Sequence, residues 1–165
     1  MRPLDENTIR SSFVNCSKGE AGRLSLPKPF TDIPWPDLDF LGWRDPGAPD
    51  RGYLVAEHEG RLVGLTLRAP TGPRKSFLRS NICSVCVTSH AGSGVTLLAA
   101  RKAGAAGRDG NTVGAYICAD LSCSLYVRGL KRTGLAQRIE ETLTLDEQIA
   151  RTRVNLDAFL AQVLI

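Results

Sequence analysis

Two pairs of cysteines constrain this chain more than any other feature of its sequence. Cys83 and Cys86 form a C-x2-C motif, Cys118 and Cys123 form a C-x4-C motif, and thirty-one residues separate the two pairs. A two-residue gap lets two sulfurs of one tight turn reach one ion, and a distant second pair can complete a tetrahedral site. The spacing therefore predicts a structural Zn²⁺ site whose four ligands are Cys83, Cys86, Cys118 and Cys123.

The segments around the cysteines predict how this module folds. Residues 94–103 have the composition of a strand, residues 104–114 form a glycine-rich turn, and residues 115–117 return as a second strand. A helix then begins near Cys123, with Asp120 or Ser122 as its N-cap. The order of knuckle, hairpin and helix is that of a treble-clef zinc finger.

Other roles for the cysteines fit less well. No apolar run follows a basic start and none approaches eighteen residues, so we expect a cytoplasmic chain with no membrane span, whose thiols stay reduced. A redox C-x2-C needs a strand-to-helix setting, whereas this pair lies between a loop and a hairpin. Cys16 stands alone and is expected to be a small buried residue. His90 could replace one thiolate, but we favour it as a solvated or hydrogen-bonding neighbour of the site.

The chain has 165 residues, which is enough for one domain or for one core with a small metal-stapled module. Residues 1–67 predict a helix over 5–15, a proline- and aromatic-rich segment over 26–49 that packs on the core, and a β-hairpin over 52–68 turning at Glu59-Gly60. His58 is expected to be an exposed histidine beside that turn.

Residues 68–165 are predicted to form the zinc-finger domain, ending in a helix that starts after Thr144. The predicted fold class is α+β, with antiparallel hairpins, a treble clef and a C-terminal helix.

The basic side chains concentrate in one segment. The formal net charge is +4, but residues 1–67 carry −2, residues 68–133 carry +8 and residues 134–165 carry −2. The +8 segment also holds four of the five cysteines. A positively charged module speeds association with acidic partners.

The sequence favours a binding protein over an enzyme. No serine, cysteine or carboxylate has a partner at catalytic spacing, and no glycine-rich loop is followed by the lysine of a phosphate-binding loop. The predicted contact residues are basic or aromatic. They are Arg74, Lys75, Phe77, Arg79, Tyr126, Arg128, Lys131 and Arg132, with Arg101, Lys102 and Tyr116 as further candidates.

Two stretches of sequence resemble a known family. Residues 77–86 (FLRSNICSVC) and residues 114–128 (GAYICADLSCSLYVR) are similar to the C-terminal treble-clef zinc finger of the elongation factor G-binding proteins, a group that includes fusidic-acid resistance proteins. The resemblance covers about residues 50–165. It implies that the four cysteines are zinc ligands and that the finger recognises elongation factor G on or near the ribosome.

This chain differs from the resistance proteins at its start, where they have a long N-terminal helical bundle. The resemblance therefore implies binding to the translation factor or the ribosome rather than drug resistance. The alternative is direct binding of ribosomal RNA or another nucleic acid, because zinc modules with basic faces often contact phosphates and stack bases on aromatic rings.

Overall fold

The structure is a computed structural model that describes residues 1–71, 82–135 and 140–165. At its centre is one antiparallel sheet of five strands in the order β1-β2-β3-β4-β5. The strands are β1 (Phe40–Arg44), β2 (Arg51–His58), β3 (Arg61–Arg68), β4 (Val95–Arg101) and β5 (Thr112–Cys118). The α+β fold is confirmed. The two predicted hairpins belong to a single sheet, because Leu67 and Arg68 of β3 pair with β4.

The predicted turn at Glu59-Gly60 is confirmed. Both residues have positive φ, 49° and 74°, and His58 pairs with Arg61 on either side of them. Two consecutive residues with positive φ match the right-handed twist of the flanking strands, which is why such turns close two-residue hairpins.

Strands β3 and β4 pair only at one end, through Leu67 and Ala100 and through Arg68 and Ala99. Residues 12–14 occupy the remaining edge of β3, where the Gly64 N–H donates to the Ser12 carbonyl at 2.8 Å. Where β3 and β4 separate, the side-chain amide of Asn15 links them by donating to the carbonyls of Thr66 and Arg101, both at 3.0 Å. The N-terminal segment thereby closes an edge that would otherwise be open to another chain.

The helices agree with the sequence in part. They are α1 (Glu6–Ser11), α2 (Lys18–Arg23), α3 (Gly104–Arg108), α4 (Cys123–Val127) and α5 (Leu145–Leu164). The first helix is shorter than predicted, because the chain turns at Ser12 to join β3. Helix α2, which begins with a capping box between Ser17 and Glu20, was not predicted, and α3 lies where a turn was expected. Helix α5 begins as predicted after Thr144, which also forms a capping box.

One face of β1 and β2 is covered by the N-terminal region. Leu41 lies opposite Val55 and Trp43 opposite Tyr53, so these four side chains share a face. They pack against Leu4, which precedes α1, against Ile9 of α1, and against Trp35 and Leu38 of the proline-rich segment. The expectation that the aromatic residues of this segment are buried against the core is therefore confirmed.

The opposite face of the sheet carries the cysteines and α5. Leu54, Leu65 and Leu98 from three strands form one core with the four paired cysteines. Leu156, Phe159, Leu160 and Val163 of α5 complete that core. In the part of the chain that the structure describes, no helix has the length and apolar character needed to cross a bilayer.

The expectation that His58 is exposed was wrong. Its side chain is only 9% exposed, and its Nδ1 lies 2.8 Å from the Asp157 carboxylate of α5. Sequence reasoning placed His58 beside a turn, which is correct, but could not show that α5 packs over the end of β2.

Candidate metal centre

The structure brings the four paired cysteines together. One sulfur from each of Cys83, Cys86, Cys118 and Cys123 lies within 4.8 Å of the others, and all four side chains are buried. The Cys83–Cys123 and Cys86–Cys118 sulfur distances are 3.7 and 3.5 Å. Four sulfurs at Zn–S distances of 2.3 Å in a tetrahedron are separated by about 3.8 Å. The cluster therefore has the dimensions of a four-thiolate zinc site.

Each pair is presented by a different kind of local structure. In the first pair, the Cys86 N–H donates to the Cys83 sulfur at 3.4 Å, and the Val87 N–H donates to the Cys83 carbonyl at 2.8 Å. Val87 has φ of 59°, which is costly for a β-branched residue and is held by this tight turn. In the second pair, Cys118 ends β5 and Cys123 begins α4, with Ser122 at the N-cap.

The thiols perturb one another because they are close and buried. Hydrogen bonds from Cys118 and Cys123 hold the pKa of the Cys83 thiol far below its usual value. Contacts with Cys118 and Cys83, together with burial, raise the pKa of Cys123 well above its usual value. Several thiolates in one buried site repel one another. A divalent metal would remove that repulsion, so metal binding should release protons.

His90 lies beside the sulfur cluster. It is 3% exposed, and its Nε2 is 3.3 Å from the Cys118 sulfur. Its ring packs edge-on against Tyr126 at 4.6 Å between centroids. With four sulfurs already gathered, this position is that of a hydrogen-bonding neighbour, the role favoured from the sequence, and it is buried rather than solvated.

Further contacts run outward from His90 through Tyr126, whose ring it touches edge-on. The Tyr126 hydroxyl donates to Asp120 at 2.9 Å, and the Lys131 ammonium pairs with the same carboxylate at 2.6 Å. Asp120 also accepts from the Ser122 N–H at 3.1 Å. Burial raises the pKa of Asp120, but Lys131 and these hydrogen bonds outweigh it and hold the pKa below its usual value. The residues around the cysteine cluster are thus themselves held in place, as in well-defined metal sites.

Leu121 anchors the C-x4-C loop to the sheet. It has φ of 61° and is 2% exposed. A Cβ built on Gly42 would lie 2.6 Å from the Leu121 Cβ, and one built on Gly52 would lie 3.1 Å from its Cδ1. Glycine at these positions in β1 and β2 therefore makes room for the loop that carries two of the sulfurs.

Asp39 connects the N-terminal region to both helices of the finger side. Its side chain is fully buried and accepts from Arg128 at 2.6 Å and from Arg153 at 2.9 Å. Its backbone N–H donates to the Ser124 hydroxyl at 2.9 Å. Burial raises the pKa of Asp39, but the two guanidinium groups outweigh it and hold the pKa below its usual value. Sequence reasoning missed Asp39, because no local pattern marks a residue whose partners lie far along the chain.

The structure separates the predicted contact residues into three groups. Arg74, Lys75, Phe77 and Arg79 lie outside the described residues. Tyr126 is 8% exposed and Arg128 pairs with Asp39, so the expected exposure of these two side chains is corrected: both make contacts inside the protein. Lys131 and Arg132 are exposed, as are Arg101 and, at 40%, Tyr116, while Lys102 is partly exposed.

In a treble-clef zinc finger, a knuckle supplies two sulfurs, and the end of a hairpin and the first turn of a helix supply two more. The four clustered cysteines of this chain have that arrangement. The four cysteines could hold a metal ion, and the class indicates that the ion is zinc. The chain belongs to the FBP C-terminal treble-clef zinc-finger family, whose model matches residues 8–163. The match therefore includes the N-terminal segment as well as the finger. No curated protein and no solved structure matches the chain.

Proposed function

We propose that this protein is a zinc-stabilised binding module of the cytoplasm, not an enzyme, and that it contacts elongation factor G, alone or on the ribosome. The resemblance of residues 114–128 to elongation factor G-binding proteins supports this partner, as does membership of the treble-clef family. When bound, zinc would hold the two halves of the finger together. With four thiolates around it, the ion would have no open position for a water nucleophile.

An exposed apolar residue beside the metal centre carries the proposal. Leu130 lies three residues after the end of α4, the helix that begins with Cys123, and is 61% exposed. Two exposed cations follow it in the chain, Lys131, which also pairs with Asp120, and Arg132. The backbone N–H of Leu130 is held by the Leu125 carbonyl at 2.9 Å, so the side chain is presented from a fixed backbone. An apolar anchor among cations suits an acidic protein surface, because the anchor supplies affinity and the charges speed association.

The test is binding of purified, nuclease-treated elongation factor G, with two variants that make the same chemical change. Leu130→Asp removes the proposed anchor, whereas Val154→Asp changes a 67% exposed residue of α5. We expect Leu130→Asp to weaken binding at least about tenfold, as for a central interface residue, and Val154→Asp to leave it within about twofold.

Both variants must first be shown to bind one equivalent of zinc and to unfold as the unaltered protein does. If the nuclease-treated factor did not bind the unaltered protein, direct contact with the factor would be overturned. Equal binding by Leu130→Asp and the unaltered protein would overturn the assignment of this surface.

A further inference from the structure

A basic groove lies on the face of the sheet opposite the cysteine cluster. It has a volume of about 800 Å³ and is bounded by α2, by strands β2 to β4 and by the start of β5 and α3. Six cationic side chains line it: Arg23, Arg51, Arg68, Arg101, Lys102 and Arg108. Among the described residues, the carboxylates that line it are Glu20 and Asp45.

Strand register explains why three of the arginines converge. Arg51 of β2 lies directly opposite Arg68 of β3, and Arg68 lies opposite Ala99 of β4. Arg101 is two residues further along β4, so its side chain is on the same face as that of Ala99. Like charges directly opposite each other destabilise a sheet. Their placement here is explained if an anion binds between them.

The two carboxylates of the groove offset only part of the charge of the six cations: Glu20 interacts electrostatically with Arg101 and Arg23, and Asp45 with Arg51. Glu20 accepts from the backbone and hydroxyl of Ser17, both at 2.8 Å, within the capping box. Asp45 accepts from the Tyr53 hydroxyl at 2.6 Å. Of the six cations, Arg68 is the one with an ion pair in the described part of the chain, to Asp50 at 3.1 Å. The groove thus presents concentrated positive charge to solvent.

An exposed aromatic ring lies further along the same face. Tyr116 of β5 is 40% exposed and pairs with Leu97 of β4. Leu97 is four residues from Arg101, which places the ring about 13 Å along the strand from the groove cations. Ala99 and Gly114 pair between them, and the Leu97 side chain lies against Gly114, so the surface between the groove and the ring is low and apolar.

We propose that this groove and the adjoining sheet face form a binding site for single-stranded nucleic acid, with phosphates on the arginines and a base stacked on Tyr116. Cations that track a backbone, combined with an aromatic platform, are the usual means of binding single strands. A small organic ligand is a poorer fit, because such sites are mostly apolar. This proposal is independent of the contact with elongation factor G, since the two use different surfaces.

The test measures binding of labelled oligouridylate and oligothymidylate of about 20 nucleotides to the zinc-loaded protein. The variant Arg51→Gln/Arg101→Gln/Arg108→Gln removes three groove cations. Its matched control, Arg2→Gln/Arg61→Gln/Arg132→Gln, removes three exposed cations that do not line the groove. We expect the groove variant to bind at least tenfold more weakly and to lose about two units of salt slope, while the control stays within threefold.

A second comparison isolates stacking from charge. Tyr116→Phe keeps an aromatic ring against Leu97 and should retain affinity, whereas Tyr116→Leu keeps only apolar packing and should lose roughly fivefold or more. Tighter binding of oligouridylate than of oligothymidylate would identify the ligand as RNA, and the reverse order would identify it as DNA.

Two results would overturn the proposal. One is equal loss in the groove variant and the matched control, which would mean diffuse charge attraction without a site. The other is binding of poly-glutamate as tight as that of the oligonucleotides, with no effect of Tyr116→Leu, which would assign the groove to an acidic protein segment.

Discussion

The buried carboxylate of Asp39 accepts two hydrogen bonds from the Arg128 guanidinium, at 2.6 and 3.2 Å. Asp39 precedes β1, on which the N-terminal region packs, and Arg128 follows α4 of the zinc finger. This fork-to-fork contact fixes the position of the finger helix relative to the N-terminal region. Because Asp39 holds the Arg128 guanidinium inside the protein, that group is part of the structure and not of the outer surface.

Asp39→Asn should destabilise the protein strongly. The change leaves the largely buried Arg128 without its countercharge, and breaking a buried pair in this way costs about 3–5 kcal/mol. The measurement is urea unfolding at neutral pH with zinc present. Asp32→Asn makes the same change at an exposed position and should alter stability by about 0.5 kcal/mol or less. Equal stabilities of the two variants would show that the Asp39 contacts contribute little.

The effect of Asp39 should depend on pH in a defined direction. Because the pKa of Asp39 is lower in the folded than in the unfolded state, its contribution is present above its unfolded value of about 3.9 and is lost as pH falls through the folded value. Zinc is also lost in acid, so the useful quantity is the difference between the unaltered protein and Asp39→Asn. That difference should shrink as pH falls below about 4. A difference that is constant with pH would contradict the role of the charge.

Cysteine variants should separate the four clustered thiols from the fifth. Serine at any one of Cys83, Cys86, Cys118 or Cys123 should abolish stoichiometric zinc binding and lower the midpoint of thermal unfolding, because zinc binding contributes directly to folding of such sites. Cys16→Ser should keep one equivalent of zinc, since Cys16 lies outside the cluster. Full zinc occupancy in all four cluster variants would contradict the site.

His90→Phe should distinguish a neighbour of the metal from a ligand. As a neighbour that contacts the Cys118 sulfur, His90 should contribute roughly 10- to 100-fold in zinc affinity without changing the ligand set. The measurement is competition with a chelator, together with the visible spectrum of the cobalt-substituted protein. A spectrum of four sulfurs in both the unaltered protein and His90→Phe is expected. A shift on substitution would identify His90 as a ligand.

Gly42→Ala should loosen the finger, although alanine is otherwise mild in a strand. Its Cβ would lie 2.6 Å from the Leu121 Cβ and 2.7 Å from the Leu121 carbonyl oxygen, so the C-x4-C loop would have to move. We expect a destabilisation of about 1–3 kcal/mol and weaker zinc binding. Gly22→Ala is the control, because its Cβ has no neighbour within 4 Å and alanine should stabilise α2 by up to about 1 kcal/mol. Unchanged zinc affinity in Gly42→Ala would contradict the anchoring role of Leu121.

Local sequence predicted the parts of the structure whose causes are local. The Glu59-Gly60 turn follows from short-range backbone geometry, and the start of α5 at Thr144 follows from its capping box. Helix α2 was missed although it has a capping box of the same kind, because it is only six residues long and has no apolar stripe. The boundary of α1 was missed because its chain leaves the helix to pair with β3, which is a tertiary contact.

The sequence by itself determined the four-sulfur site and the α+β class, because ligand type and spacing are written in consecutive residues and coordination chemistry restricts what they can bind. Only the tertiary structure decided which basic and aromatic side chains are exposed. It paired His58 with Asp157 and Arg128 with Asp39, and it aligned Arg51, Arg68 and Arg101 across three strands. These relations depend on how distant segments pack, and no local periodicity encodes them.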